Sequence, residues 1–484
     1  MTELVIDGAF ALLDEPPPGG RFAEASVLVQ GRRIAAVATR VDDRAALRAR
    51  ATRIEDGRGH WLIPGLIDAH AHGYATLLRG TENAMPLELW ALFTVLYGRA
   101  FTAATLRAAV LLGAAERIRA GITGWIDHSP MQHLADAAIA AHEASGLRVG
   151  YAPFLHDTGD ETLLGVHLPP DVAGIAGGAP TLDPDAYAVR FAEMAARAAG
   201  GSGRVRVLLG PNAPQRCSAR AWALWRELRD RHGVAVHTHL METRAQAEIG
   251  ARLYPGGLVA AMAQEGLLDG NLSVAHGIWL SRAEREVLAA HGVTLVHNPA
   301  SNLMLGSGIL PLAESRDAGL PVALGTDSSN TGGRHDHFAT MRLAMMLPRV
   351  ADADHRTWPH GAEALAMATR NGAGVLDRAG ELGRIAPGQL ADLVLVRRGA
   401  AATLAFDASA DALVQHAGPE HVTAAMVDGA WVLRDGRILA FDEAAALADA
   451  AEAMAALRTR TLAGRSTLAA AVPRHAASLG FRPA

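Results

Sequence analysis

Two chemically versatile residue types are almost missing from this sequence. Cysteine occurs once, as Cys217, which excludes an intramolecular disulfide and any metal cluster held by several thiolates. Lysine does not occur at all, so the 45 residues counted as lysine or arginine are all arginine. The scarcity of cysteine favours a reducing, cytoplasmic setting.

Long apolar runs and a large excess of one charge are missing as well. No run reaches the roughly 18 residues that span a bilayer, and the N-terminal segment lacks the basic start and long apolar core of a signal peptide. The formal net charge is only −5, which gives no reason to expect a nucleic-acid partner. We therefore expect a cytoplasmic protein that acts on a small molecule, with no membrane and no nucleic acid.

Helix-like and strand-like segments alternate along the middle of the chain. One example is "SARAWALWRELRDRHG" followed by "VAVHTHL". The repeated order of helix, glycine and buried strand is typical of a parallel sheet wrapped by helices. About eight such units favour an α/β fold with a (β/α)8 TIM barrel, which we place at residues 62–380.

Shorter β-rich segments flank the predicted barrel on both sides. Residues 1–61 include the hairpin signal Gln30-Gly31, and residues 381–440 contain two segments of similar texture. We expect them to form one small β-sandwich domain built from both chain ends. The Ala-rich residues 441–484 predict a C-terminal helical extension, and the Gly- and Pro-rich residues 166–187 predict a barrel insertion or lid.

Side chains that bind metals follow several of the predicted strands. His70 and His72 are two residues apart, so in a strand they face the same way and can bind one cation. His239 and Asp327, which also follow apolar runs, would complete a set of three nitrogens and one oxygen. That set suits Zn²⁺ or Fe²⁺ with room for water, whose pKa such an ion lowers towards about 7.

Five motifs in register identify the chain as similar to a known superfamily. The segments "PGLIDAHAH", "HTHLMET", "AHG", "HNPASNLMLGSG" and "GTDSSN" resemble the amidohydrolase superfamily. Within it, they are most similar to the branch of S-adenosylhomocysteine and methylthioadenosine deaminases, guanine deaminase and the triazine hydrolases. The resemblance extends from the N-terminal hairpin to "GRIAPGQLADLVLV".

The resemblance implies roles for six residues. It implies metal ligation by His70, His72, His239 and Asp327, with Asp327 also accepting the proton of the attacking water. Glu242 would carry a proton to the leaving nitrogen, as a general acid must. His276 would orient the hydroxide or polarise the bond under attack.

Two alternatives concern the metal itself. His237 could replace His239 as ligand, although the family's His-x-x-Glu spacing selects His239. Binuclear members of the superfamily bridge two metals with a carboxylated lysine, and this chain has no lysine. We therefore expect one divalent ion, zinc with iron as the alternative, while a glutamate or cysteine bridge is the formal route to a second ion.

The predicted pocket is a mixed surface suited to a small, flat, polar molecule. In the related nucleoside deaminases a glutamate reads the purine where this chain has Tyr97 and Arg99, and a histidine contacts the ribose where it has Asn212. Both departures count against adenosine-type substrates. The predicted substrate-binding residues are Trp90, Arg99, His128, Asn212, Gln215, Met241, Ser301, Asn302, Ser328 and Asn330, with His128 equally suited to a structural hydrogen bond.

We predict a metal-dependent hydrolase that attacks a C–N bond and deaminates a small N-heterocycle, such as a triazine, pyrimidine or purine base. The alternative is an amidase, urea or carbamate hydrolase acting on an exocyclic C–N bond, since the same residues serve both reactions. A remote alternative is an inactive, amidohydrolase-like binding protein. Because the relatives are commonly dimers or tetramers, we expect a homodimer or homotetramer.

Overall fold

The computed structural model describes residues 3–13, 21–159, 163, 168–177, 183–407 and 409–478. Part of the predicted insertion at residues 166–187 lies outside these ranges. The strands, in chain order, are β1 Glu3–Leu13, β2 Arg21–Gln30, β3 Arg33–Ala38, β4 Arg53–Asp56, β5 His60–Pro64, β6 Leu66–Ala71, β7 Ile122–Ser129, β8 Arg148–Leu155, β9 Val205–Val207, β10 Gly210–Pro211, β11 Val236–Leu240, β12 Leu272–His276, β13 Thr294–His297, β14 Val322–Leu324, β15 Leu393–Arg397, β16 Val422–Val427, β17 Ala430–Arg434 and β18 Arg437–Ile438.

Helices separate most of the strands. Short 3₁₀ helices also occur, among them Gly73–Leu78 after β6 and Pro214–Arg216 after β10. The α-helices are α1 Val41–Arg50, α2 Leu87–Ala100, α3 Ala103–Arg119, α4 Ala135–Ser145, α5 Pro170–Ala176, α6 Pro184–Ala199, α7 Ala219–His232, α8 Arg244–Leu253, α9 Leu258–Gln264, α10 Arg282–Ala290, α11 Pro299–Met304, α12 Leu312–Asp317, α13 His337–Ala351, α14 Gly361–Ala368, α15 Arg370–Val375, α16 Ala410–His416 and α17 Glu443–Ser478.

The middle of the chain forms two parallel sheets. One has the order β10-β8-β7-β6, with β9 also paired to β8, and the other has the order β11-β12-β13-β14. Isolated parallel bridges connect them at both ends: Leu209 pairs with Val236, and Ala71 pairs with Asp327. Because all these strands run the same way, their carboxyl ends meet at one edge, where catalytic groups of such folds lie.

Helix α7 shows how the local sequence builds one of these units. The Ser218 side chain accepts a hydrogen bond from the backbone N–H of Ala221, which caps the first turn. Trp222 and Trp225 are spaced by one helical turn and are both buried in the core. Gly233 ends the helix in the left-handed conformation, at φ 60°, which glycine adopts without a steric penalty. The chain then enters β11, which carries His237, Thr238 and His239.

Both chain ends contribute to one nine-stranded sheet. Its order is β18-β17-β16-β15-β5-β1-β2-β3, with β4 paired to β1. A buried ion network joins this sheet to β8: the Arg148 guanidinium donates to both carboxylate oxygens of Asp392, at 2.7 and 2.9 Å, and also to Asp428. These ion pairs connect the nine-stranded sheet to the parallel sheet that contains β8.

Helix α17 is 36 residues long and packs against α2, α3 and α5. The Arg465 guanidinium donates to Glu82 at 2.6 Å, and the Arg460 guanidinium donates to the carbonyl of Ala100 at 2.7 Å. Among the described residues no single helix is long and apolar enough to cross a membrane; only α2 and α3 taken together reach that length, and they meet at a bend of 119°.

Candidate metal centre and substrate cavity

Three histidines and one aspartate converge where the parallel strands end. Nε2 of His72 lies 3.2 Å from the Asp327 carboxylate, and Nε2 of His70 lies 3.5 Å from the same oxygen. Nε2 of His239 lies 3.4 Å from Nε2 of His72. Possible ligand atoms of the three histidines all fall within 4.8 Å of one another. The three histidines form one group that could hold a metal ion, and Asp327 forms another with His70 and His276.

Backbone pairing places the aspartate opposite the first two histidines. The Asp327 N–H donates to the His70 carbonyl at 2.9 Å, next to the bridge between Ala71 and Asp327. Asp327 itself has a φ of 60°, in the left-handed region that non-glycine residues seldom occupy. Such conformations cost of order 1–3 kcal/mol and cluster at functional sites. The turn directs the carboxylate back over the end of β6.

The second ring nitrogen of each histidine is also engaged. Nδ1 of His72 donates to the His128 carbonyl, and Nδ1 of His239 donates to the Asn212 carbonyl at 2.6 Å. Nδ1 of His70 lies 2.7 Å from Nε2 of His237. Hydrogen bonds of this kind orient metal-binding imidazoles.

Glu242 and His276 lie beside the aspartate. Nε2 of His276 is 3.7 Å from Glu242 and 3.8 Å from Asp327, and its Nδ1 bonds to the Asn302 side-chain oxygen at 2.8 Å. Glu242 follows β11 in a turn that starts at Met241, whose φ is 45°, and that ends where Thr243 caps α8. The turn brings the carboxyl group back to the strand ends.

The surroundings of Glu242 and Asp327 shift the pKa values of these two buried carboxyl groups in opposite directions. Burial, together with the nearby charge of Asp327, raises the pKa of Glu242 well above its usual range. Burial alone would raise the pKa of Asp327, but the imidazoles of His70 and His72 outweigh it and hold that pKa well below its usual range. Burial also lowers the pKa of His276. A neutral acid and an ionised carboxylate therefore face one another, as acid and base catalysis requires.

A cavity of about 210 Å³ opens beside Glu242, His276 and Asp327. Helix α2 forms one wall with its Trp90 and Arg99 side chains. Leu87, Ala91, Thr94, Val95 and Gly98 of the same helix, and His72 and His239, also line it. The other described lining residues come mostly from loops after the parallel strands: Tyr74, Pro130, Met131, His133, Phe154, His156, Asn212, Arg216, Gln246, Leu305 and Thr331.

Comparison with known proteins decides which family this arrangement belongs to. Residues 61–432 match the family described as "Amidohydrolase family". The chain belongs to the amidohydrolase family. The membership predicted from the five motifs is thus confirmed.

Deaminases from other organisms resemble the chain along most of its length. It is 32% identical over 438 residues to a 5-methylthioadenosine/S-adenosylhomocysteine deaminase of Syntrophobacter fumaroxidans, covering 90% of this chain and 94% of that one. It is 29% identical over 462 residues to a 5'-deoxyadenosine deaminase of Methanosarcina mazei, covering 95% and 99%.

Solved structures of similar fold include two that contain zinc. An adenosine deaminase from Xanthomonas campestris with bound zinc has a TM-score of 0.82 at 26% identity, covering 95% of this chain and 99% of that one. An atrazine chlorohydrolase from Arthrobacter aurescens complexed with zinc has a TM-score of 0.82 at 23% identity, covering 93% and 100%. The likeness assigns this amidohydrolase a TIM-barrel-type α/β fold.

The predicted substrate contacts divide into two groups in this amidohydrolase. Trp90, Arg99 and Asn212 line the cavity, as expected. Arg99 also donates to the backbone carbonyls of Ile175 and Gly177, at 2.7 and 2.6 Å, so its guanidinium holds α5 against α2.

The second group lies behind the cavity wall. Asn302 bonds to His276, Ser301 bonds to Thr331 at 3.1 Å, and the Ser328 N–H donates to Asp327 at 2.8 Å. Asn302, Ser301 and Ser328 are buried, and each makes one of these hydrogen bonds to a group beside or within the site. The predicted pocket residues absent from the described lining are His128, Gln215, Met241, Ser301, Asn302, Ser328 and Asn330.

Sequence reasoning missed several residues of the wall. His156 lines the cavity, as do Arg216 and Met131. His156 directly follows β8 and therefore carries the same strand-end signal as His70 and His239. Arg216 and Met131 lie in loops whose direction no local pattern indicates.

Proposed function

We propose that this protein is a metal-dependent deaminase that removes an amino group, as ammonia, from an electron-poor carbon of a small N-heterocycle. The observation that carries the proposal is the convergence of Glu242, His276 and Asp327 on one side of the histidine cluster, facing the cavity. The deaminase names of the relatives with similar sequences support it.

The proposed ligands are His70, His72, His239 and Asp327. Nε2 of His70 is buried without a hydrogen-bond partner among the described residues, which suits an atom that awaits a cation. Imidazole nitrogens and carboxylate oxygens are ligand atoms that zinc takes in proteins. Because the chain has no lysine to carboxylate, we favour one ion per chain, zinc with iron as the alternative.

Each catalytic group has one task in the proposed reaction. When bound, zinc supplies a water acidified to a pKa of about 7. Asp327, ionised by its setting, accepts a proton from the attacking water. Glu242, held neutral by burial, donates a proton to the departing nitrogen. His276, oriented by Asn302, stabilises charge on the water or on the carbon under attack.

The cavity favours a free base or triazine over a nucleoside. Trp90, Met131 and Phe154 give it flat, apolar walls, and about 210 Å³ is below the range typical of sites for larger ligands. The related sequences act, by name, on adenosine derivatives, but Arg99 and Asn212 occupy the positions where we expect those enzymes to recognise purine and ribose. The proposed substrate is therefore an amino-substituted ring without a sugar.

We further propose that the two parallel sheets close into a (β/α)8 barrel over residues 62–380. The bridges at Leu209–Val236 and Ala71–Asp327 support closure, with β9 and β10 counted as one strand. Residues 1–61 and 381–440 form the proposed β-sandwich domain, and residues 441–484 the helical extension. A homodimer or homotetramer in the cytoplasm stays a prediction.

A compound panel separates the proposed reaction from its alternatives. Zinc-loaded protein is offered aminotriazines, aminopyrimidines, aminopurines and adenosine derivatives, together with aryl amides, ureas and carbamates. We expect ammonia from a ring amine. Amine or carboxylate release from the second set alone would favour the amidase, urea or carbamate hydrolase, and a protein that binds no transition metal and remains inactive after zinc or iron addition would favour the binding protein.

A further inference from the structure

The three candidate histidine ligands differ in what holds their second nitrogen. For His72 and His239 the partner is a backbone carbonyl, which can only accept a hydrogen bond. In the neutral form that binds a metal, those two imidazoles therefore carry their proton on Nδ1, which leaves the Nε2 lone pair free. For His70 the partner is another imidazole, His237, which can donate or accept. The tautomer of His70 thus depends on a side chain.

The neighbours of His237 indicate which of its two nitrogens carries the proton. His237 and Ser273 are paired in register on β11 and β12, and Nδ1 of His237 lies 2.8 Å from the Ser273 hydroxyl. The hydroxyl in turn lies 3.1 Å from the Val236 carbonyl, which can accept only. If the hydroxyl proton goes to Val236, the serine oxygen accepts from Nδ1–H of His237.

The tautomer of His237 in turn determines the tautomer of His70. A neutral imidazole has one N–H, and His237 lies fully buried beside His70. With its proton on Nδ1, His237 accepts at Nε2 from Nδ1–H of His70, over 2.7 Å. Nε2 of His70 is left as a lone pair facing Asp327, where it is buried without another hydrogen-bond partner among the described residues.

We infer that His237 is a positioning residue that, held by Ser273, fixes the ring and tautomer of His70 so that its Nε2 faces a divalent cation. The inference rests on the proposed function only in assuming that a cation binds there. This role is consistent with His239 rather than His237 as the proposed ligand, since Nδ1 and Nε2 of His237 contact Ser273 and His70.

Zinc affinity of the metal-free chain tests this role without any activity assay. Protein stripped by a chelator is titrated with zinc against a chromophoric competitor, for the wild type, His237→Leu, His237→Gln, Ser273→Ala and the exposed control His291→Leu. Removing the outer partner of a ligand typically weakens metal binding about 10–100-fold. We expect His237→Leu to lose affinity by that factor and still bind one zinc at saturation.

The conservative variant separates positioning from packing. The Gln amide oxygen can accept from Nδ1–H of His70, so we expect His237→Gln to recover most of the affinity that His237→Leu loses. Ser273→Ala leaves the His237 ring in place, so we expect it to lose zinc affinity by a smaller factor. If His237→Leu does not fold, the zinc affinity of Ser273→Ala tests the inference in its place.

Three results would overturn the inference. The first is wild-type affinity in both His237→Leu and Ser273→Ala. The second is equal loss in the Leu and Gln variants, which would indicate packing alone. The third is complete loss of zinc in His237→Leu, matching His239→Leu, which would make His237 a ligand. A wild-type chain that binds zinc but deaminates nothing would contradict the proposed function and leave these comparisons intact.

Discussion

Nε2 of His276 lies 3.7 Å from a carboxylate oxygen of Glu242, and both side chains are buried beside Asp327. The pair connects two strand ends, because Glu242 follows β11 and His276 ends β12. Neither residue belongs to the proposed ligand set. The pair thus lies beside the proposed metal ligands, where the proposed function needs a group that transfers protons.

Replacing Glu242 by Gln should retain zinc and lose turnover. The amide keeps the size of the side chain but cannot deliver a proton, and general acids contribute about 100–10,000-fold to rate. We expect a loss within that range, with one zinc per chain measured by metal analysis. Glu248→Gln, on the exposed face of α8, is the control. Full activity in Glu242→Gln would show that another group protonates the leaving nitrogen.

Asp68 should stabilise the turn that carries Asp327. Its carboxylate accepts from the Thr326 N–H at 2.8 Å and the Thr326 hydroxyl at 2.7 Å, and it pairs with buried Arg117. Breaking a buried ion pair by removing one charge costs about 3–5 kcal/mol. We expect Asp68→Asn to lower the free energy of unfolding by about 3 kcal/mol in denaturant titrations.

The control for Asp68 is Asp56→Asn. Asp56 pairs with Arg58 on the exposed surface, where an ion pair is worth about 0–1 kcal/mol. Asp68→Asn should also weaken zinc binding, since the Asp327 turn loses its anchor, whereas Asp56→Asn should not. Equal stability of the two variants would show that Asp68 does not hold the turn.

Helix α17 should stabilise the cavity wall through Arg465. This guanidinium donates to Glu82, which is almost fully buried and also accepts from the Tyr97 hydroxyl of α2 at 2.7 Å. Arg465→Met leaves a buried carboxylate short of a donor, which costs about 1–3 kcal/mol of unfolding free energy. Because α2 carries Trp90, we expect KM to rise more than kcat falls. The same change at exposed Arg458 should alter neither quantity.

Cys217 should be unreactive in the native protein. The thiol is buried, its sulfur lies 3.5 Å from the Leu155 carbonyl, and burial raises its pKa. Since the thiolate is the reactive form, a thiol reagent should label no cysteine in the folded chain and one after unfolding. Rapid labelling of the native protein would contradict the packing around α7.

The closeness of the proposed strand-end ligands could be predicted because the fold makes these residues converge. Once His70, His239 and Asp327 follow parallel strands, the shared direction of those strands brings them together without further information. The choice between His237 and His239 was harder, since residues two apart in a strand face the same way. It depends on Ser273 and on the Asn212 carbonyl, which come from other parts of the chain.

The cavity wall could be predicted only in part. Ser328 is absent from the described lining because the chain changes direction at the left-handed turn of Asp327. The local sequence does not predict a left-handed conformation at this aspartate. Arg216 reaches the cavity from a loop positioned by tertiary contacts. Likewise, β-like texture at both chain ends suggested a shared domain, but the antiparallel pairing of β5 with β15 depends on contacts between distant segments.

Ammonia release as a function of added zinc tests the proposed deaminase most directly. Chelator-stripped protein is incubated with the ring amine that the panel identifies, and zinc is added in steps. We expect no ammonia from the metal-free chain and a linear rise that ends at one zinc per chain. Ammonia release by the stripped protein, or none from any ring amine at saturating zinc or iron, would contradict a metal-dependent deaminase.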